Sequence, residues 1–318
     1  MSLPLPRDFF DCRPLPQSEE HDLLDLAAAV CHDTALNALT MAQRPPSKEI
    51  INEATKRRAT LHFGTDLVDP AMYGLTGVSR LRTTIDELVD FLLLTTPEKV
   101  RIYGNVVGQA VLDRMTLYQL PPRDSSMLAA SVQWAVIENP FLSSALTLKR
   151  DTCFLEVLQR IEVTDPATGQ RRRGLVRATH SVAMDSCPSL RKSHNIVRGA
   201  LIRSGHLFLE AQDGEFDYYY TYIVADPGSV PKFVSLRIFQ KIVSQMLNVE
   251  HHFALTRLPA LMAEIAKEPR RRFKPDGAIA ACEACASKFS VFGSKRHCYK
   301  CHQVVCSACI QTYAVRTQ

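Results

Sequence analysis

Three Cys-x-x-Cys pairs fall within 28 residues near the end of the chain: Cys282/Cys285, Cys298/Cys301 and Cys306/Cys309. Two residues between thiols let one short knuckle present both sulfurs to a single metal ion. Two such knuckles complete a tetrahedral four-sulfur site of the kind zinc occupies. Disulfides are the competing chemistry, and they need an oxidising compartment. The N-terminus, Met1-Ser2-Leu3-Pro4-Leu5-Pro6-Arg7, lacks the basic start and apolar run of a secretory signal. The six clustered cysteines therefore read as zinc ligands. Cys12, Cys31, Cys153 and Cys187 are scattered and read as reduced thiols.

Charge concentrates at the same end. From Lys267 to Gln318 ten Lys or Arg oppose three acids, an excess of seven, in a chain whose net charge is +5. The rest of the chain is thus slightly acidic. A basic end on a near-neutral body suits an anionic partner, and by charge alone this is a phosphoinositide-bearing membrane or a nucleic acid. No apolar stretch is long enough to span a bilayer: Leu88 to Leu94 is the densest and contains Asp90. The reading is a cytoplasmic protein whose membrane contact is peripheral.

Enzyme signatures are missing. There is no Gly-x-Ser-x-Gly elbow, no His-Glu-x-x-His, no phosphate-binding loop and no Gly-x-Gly-x-x-Gly; Gly104-Asn105-Val106-Val107-Gly108 has the wrong spacing. His251-His252 fits a surface or packing role on a helix.

The elements that must carry these residues follow from periodicity. Ser18, with Glu19 and Glu20 behind it, starts a helix that Pro45-Pro46 ends. A second helix is predicted from Ser47 to about Arg58, a strand over 73–81, and a helix over 84–94 with Ile85, Leu88, Val89 and Leu92 on one face. Beyond Pro97 the character becomes β, with strands at 111–119, 128–137, 153–163, 174–184, 196–203, 206–211 and 217–225. Short links such as Asp165–Gly169 and Gln212–Glu215 argue for an antiparallel sheet. After Pro231 an apolar stripe of Phe239, Ile242, Val243, Met246 and Phe253 predicts a long helix, broken at Pro259, with a shorter piece reaching Lys267. Glu268 to Gly277, with Pro269, Pro275 and Gly277, is the predicted linker.

Several segments resemble START lipid-binding domains. They are Arg150-Asp151-Thr152-Cys153-Phe154-Leu155-Glu156, then Arg198-Gly199-Ala200 followed by Ser204-Gly205-His206, and Tyr222 to Pro231 leading into the last helix. The resemblance spans about residues 70–265. It implies an α+β helix-grip fold, in which an antiparallel sheet wraps a long C-terminal helix around an apolar tunnel for a sterol, phospholipid or similar lipid.

The run from Lys295 to Cys309 resembles the FYVE finger. That family pairs its first and third knuckles on one zinc and its second and fourth on another. Carried over, Cys282, Cys285, Cys306 and Cys309 form one complete site, and Cys298 and Cys301 begin a second. Nine residues follow Cys309 and none is Cys or His. The second zinc is then absent, or completed by His297 or His302, or lost with a truncated end. A simpler ribbon using Cys282, Cys285, Cys298 and Cys301 stays open. FYVE fingers read phosphatidylinositol 3-phosphate through an Arg-Arg/Lys-His-His-Cys-Arg run. Here Ser294 and Tyr299 stand at the first and last basic positions and Arg296 at one His. Lys295, Arg296, His297 and Lys300 remain as headgroup candidates.

The sequence thus predicts four parts: an irregular and helical segment at 1–62, a START-like lipid-binding domain at 63–267, a basic linker at 268–277, and an incomplete FYVE-type finger at 278–318. The function expected is non-enzymatic: a lipid in the START-like cavity, and a zinc-stabilised basic finger that targets an anionic membrane, endosomal if phosphoinositide is read, rather than nucleic acid. An interaction adaptor with a vestigial cavity is the alternative, and an enzyme of the same fold a third.

Overall fold

The computed structural model describes residues 3–53, 55–138, 148–225, 231–267, 274–275, 279–289 and 294–310. Two units emerge, residues 1–52 with 57–250, and residues 53–56 with 251–318.

In chain order the first unit holds α1 (Gln17–Ala42), β1 (Lys48–Ile51), β2 (Arg58–Thr65), β3 (Tyr73–Arg82), α2 (Ile85–Leu92), α3 (Pro97–Val106), β4 (Ala110–Leu120), β5 (Met127–Glu138), β6 (Arg150–Thr164) and β7 (Arg171–Ser181). It continues with α4 (Arg191–His194), β8 (Val197–Arg198), β9 (Ala200–Leu201), β10 (Ser204–Glu210), β11 (Glu215–Ala225) and α5 (Lys232–Ser244). The main path of the sheet runs β1-β2-β3-β11-β10-β7-β6-β5-β4, antiparallel throughout; β8 adds to β6 in parallel and β9 to β11.

Side chains of a strand alternate between faces, and here the alternation separates two chemistries. Cys153, Leu155 and Val157 of β6, Val176 and Ala178 of β7, and Leu207 and Leu209 of β10 share one apolar core with Leu23, Ala27, Val30, Ala35 and Ala38 of α1. Trp134 of β5 joins that core and is fully buried. Burial of such a side chain contributes about 1.5–3 kcal/mol. The residues between them, Glu156, Arg177, His206 and Tyr218, belong to the other face, which Tyr103 of α3 reaches.

At the β3 end that inner face takes the helical segment beginning at α5. Gly77 makes the approach possible: a Cβ there would stand 2.5 Å from Met246 Sδ and 2.6 Å from Val243 Cγ1. α5 passes through a 3-10 turn at Gln245–Leu247 into α6 (Asn248–Lys267).

Five local expectations change. The chain over 48–65 forms the β1–β2 hairpin instead of a helix from Ser47. Ile50 and Ile51 are β-branched, and Lys56 turns the chain with φ at 57°. Residues 97–106 are helical, not β, because Thr96 accepts from Lys99 N as an N-cap and Pro97 sits at the first helical position, where its missing N–H costs nothing. Pro16, not Ser18, occupies the cap position of α1. The single strand expected over 196–203 is two short ones, β8 and β9. Pro259 lies inside α6 without ending it; the acceptor it leaves idle belongs to Leu255, an exposed residue, where water can satisfy it. The linker 268–277 lies outside the described residues except Lys274 and Pro275.

In the second unit, β12 (Lys295–His297) and β13 (Val304–Cys306) form a small ladder, and Ala281 bridges Lys288. Val304 and Val305 are buried, and few other apolar side chains among the described residues of the finger are. No described helix is long and apolar enough to cross a membrane.

Candidate functional site

Each of the first two Cys-x-x-Cys pairs closes a tight turn. Ala286 N donates to Cys282 O (2.8 Å) and Cys282 N to Ser287 O (2.9 Å); His302 N donates to Cys298 O (2.8 Å) and Cys298 N to Gln303 O (2.9 Å). Ala286 and His302 follow their knuckles at φ 58° and 59°. Glu283 ties the first knuckle to β13, its N–H donating to Val304 O (3.0 Å) and its carboxylate accepting from Val304 N (2.6 Å).

That clamp brings Cys282, Cys285, Cys306 and Cys309 together, one ligand atom from each, all within 4.8 Å of one another. Cys285 Sγ and Cys306 Sγ are 3.9 Å apart, close to the ~3.8 Å edge of a tetrahedron with Zn–S bonds of about 2.3 Å. Burial opposes charge on Cys282, but the backbone N–H groups of Cys306, Cys285 and Ala284 outweigh it and bring the thiol down to about 6. Hydrogen bonds with Cys285 and Cys306 push Cys309 the other way, to about 12. Four thiols so placed cannot all ionise unaided, and a divalent cation is the group that lets them. The donor set, its spacing and its protonation therefore fit zinc.

Among the described residues Cys298 and Cys301 do not join this cluster. Burial disfavours the Cys298 thiolate, yet the N–H groups of Cys301 and Lys300 lower its thiol overall. His297 is turned away, its Nε2 bonded to Lys274 O at 3.0 Å. Among the headgroup candidates Lys295 is also engaged, donating to Ile279 O (2.8 Å) with Nζ 5.1 Å from the Phe289 ring centroid. Arg296 and Lys300 are exposed, and Tyr299 between them is 72% exposed.

A second constellation lies inside the first unit. Glu156 accepts from Arg114 Nη2 of β4 (2.5 Å) and from Arg177 Nη2 of β7. Arg177 Nη1 donates to the Tyr103 hydroxyl (2.9 Å), which shares a 2.6 Å bond with His206 Nε2. His206 Nδ1 meets the Tyr218 hydroxyl at 2.8 Å. Burial works against the Glu156 charge, but the two guanidiniums override it and hold the carboxyl down at about 2. Burial, then Arg177, drive His206 well below the usual imidazole range, so its ring is neutral at pH 7.

Tyr103, Arg114, Arg177, His206, Tyr220 and Tyr222 line a cavity of about 50 Å³ together with apolar neighbours. Where an apolar tunnel is expected, the described residues thus enclose a small, partly polar chamber. No motif announces this cluster, since its members come from six elements. Its signal in the sequence is a charged residue at the middle of an apolar run, Glu156 in Phe154-Leu155-Glu156-Val157-Leu158 and Arg177 in Leu175-Val176-Arg177-Ala178.

No curated protein sequence matches the chain. Among solved structures, human StAR-related lipid transfer protein 5 is similar with a TM-score of 0.48 and 14% identity, over 71% of this chain and 96% of that one. Human STARD10 gives 0.43 and 12%, over 79% and 87%. The human StarD13 (DLC2) lipid transfer and protein localization domain gives 0.41 and 13%, over 68% and 93%. Residues 272–318 match the family model of the FYVE zinc finger, and the four cysteine sulfurs gathered in that segment are a donor set consistent with zinc.

Proposed function

We propose that this is a non-enzymatic lipid-binding protein. Its first unit holds a lipid on the inner face of the sheet, and its zinc finger attaches the chain to an anionic membrane. Cys282, Cys285, Cys306 and Cys309 hold one zinc; Cys298 and Cys301 supply half of a second site. Arg296 and Lys300 meet the lipid headgroups, while Lys295 and His297 chiefly brace the finger. The observation that carries the reading is the FYVE match at 272–318 in a segment with a large excess of basic residues. The START-like motifs between residues 150 and 231 support the lipid-holding half.

The interior cluster favours binding over catalysis. A general acid or base works best with a pKa near the operating pH, and Glu156 is held far below it. Both His206 nitrogens are committed to tyrosines. A basic residue near an anionic bilayer is worth about 1 kcal/mol, so two or three give weak attachment that salt screens over about 10 Å at 0.1 M. The preference is for anionic surfaces in general, because Ser294 and Tyr299 replace two basic positions of the family's run.

Native mass spectrometry of the full chain, purified without chelator, should find zinc and a co-purified lipid; less than half an equivalent of zinc contradicts the metal assignment. Flotation with phosphatidylserine, phosphatidylinositol 3-phosphate and neutral vesicles at two salt concentrations tests the membrane half. Salt-sensitive binding to both anionic vesicles is expected. Salt-resistant binding that requires the 3-phosphate would establish a specific headgroup site instead, and no binding to any vesicle would favour a protein-interaction adaptor.

A further inference from the structure

The interior cluster carries one charge too many. Arg114 and Arg177 face a single carboxylate, Glu156, and among the described residues no other ion pair involves any of the three. Arg177 is 6% exposed, and the side chains of Arg114 and Glu156 are 13% and 12% exposed. A buried charge without a partner is costly in a folded protein. Two donors are also left over. Arg177 Nε is buried with no acceptor. The Tyr220 hydroxyl accepts from Gln109 Nε2 at 3.0 Å, and no described group accepts its own proton. Arg177 and Tyr220 line the same chamber.

We propose that this chamber is a binding site for the carboxylate end of a long-chain carboxylic acid, taken up by Arg177 Nε and the Tyr220 hydroxyl, with the surplus guanidinium charge as its counter-ion. The proposal rests on the lipid-holding reading above and names the class of lipid. Three features select a carboxylate. The surplus is one positive charge, which a monoanion neutralises. The unmet groups are donors, which a carboxylate accepts from in two directions. The chamber, about 50 Å³, holds a few water-sized atoms at roughly 10–15 Å³ each, the size of a carboxylate and far below a sterol ring system. Leu94, Val111, Ile137, Phe154 and Leu201 form the apolar part of the wall, so the attached chain enters by parting these side chains and is buried among them. A neutral alcohol or ester leaves the positive charge uncompensated.

The test is calorimetric titration of the delipidated full chain with oleate, oleyl alcohol, methyl oleate and acetate. Oleate should bind one to one and at least about tenfold tighter than the alcohol or ester, the range expected for hydrogen bonds to a charged group, and acetate only weakly. R177M leaves Arg114 and Glu156 as a neutral pair; it should abolish the preference for the acid while the ester still binds. Y220F removes one hydroxyl without changing charge or packing and should weaken oleate several-fold but not methyl oleate. Equal affinity for acid, alcohol and ester in the unsubstituted protein would overturn the proposal while leaving the lipid-holding reading intact, as would an acid preference that survives R177M and Y220F together. Acetate binding as tightly as oleate would assign the chamber to a small anion and overturn the lipid class. Failure of every lipid to bind would overturn this proposal together with the reading beneath it.

Discussion

The two units gather charge of opposite sign by opposite means. The finger brings four thiols within 4.8 Å of one another, and among its described residues Val304 and Val305 are the buried valines. The sheet unit places two guanidiniums on one carboxylate, but does so behind an extensive apolar layer built on α1. The finger's like charges are its structural principle, and an ion must join them before the fold is stable. The sheet's charges are a local cost that a large core can carry. Dependence on a bound ion therefore scales inversely with the apolar surface a unit can bury.

Removing zinc is the sharpest way to break this contrast. Metal binding to small thiolate sites is worth on the order of 10 kcal/mol. A strong chelator should therefore strip amide-exchange protection from residues 279–310 and leave the strands of the first unit protected. Acid should act in the same direction as thiolates protonate. Cys306→Ser should lose more zinc than Cys298→Ser, measured per mole of full chain; equal losses would count against the four-sulfur cluster as the complete site.

The next effect belongs to the ionic cluster. E156Q leaves the buried Arg177 and the half-buried Arg114 without their anion and should lower the stability of the first unit by about 3–5 kcal/mol in denaturant melts, with zinc content unchanged. The pH dependence follows from a depressed carboxyl. Glu156 stabilises the fold above its ordinary value of 4.5, and that contribution fades as pH falls toward about 2. The full span is worth about 3 kcal/mol, and E156Q should flatten the acid limb of the stability profile.

A smaller change probes packing with no charge involved. G77A pushes a methyl into Met246 and Val243 and should cost about 1–3 kcal/mol. The mildest is T84A. The Thr84 hydroxyl accepts from Glu87 N at 3.2 Å while the Glu87 carboxylate accepts from Thr84 N at 3.1 Å, and losing this capping box should cost about 1 kcal/mol. Both should move the melting midpoint of the sheet and neither the zinc content.

Local chemistry was readable where one segment decides the outcome. The Cys-x-x-Cys spacing marks the knuckles, and β-rich runs with short turns mark β4 to β7, β10 and β11. Reading failed where a distant partner decides. Lys48–Ile51 becomes a strand because Arg58–Ile51 pairing rewards it, and a helical period was the stronger local pattern. Residues 97–106 hide a helix in which Gly104 and Asn105 weaken the intrinsic propensity. The chamber was invisible for a related reason: Arg114, Glu156 and Arg177 are remote in sequence, and only the sheet register makes them neighbours.

That register has a genetic corollary. In the middle of β6 and β7 alternate residues, Cys153, Leu155 and Val157 and then Val176 and Ala178, belong to the α1 core, and Glu156 and Arg177 between them to the chamber side. An insertion or deletion of one codon inside either strand exchanges the two sets beyond that point, sending Glu156 or Arg177 into the apolar layer and Leu155 or Val176 out of it. The turns at Asp165–Gly169 and Gln212–Gly214 carry no such parity, and length variation among natural variants of this chain should collect there and spare the strands between.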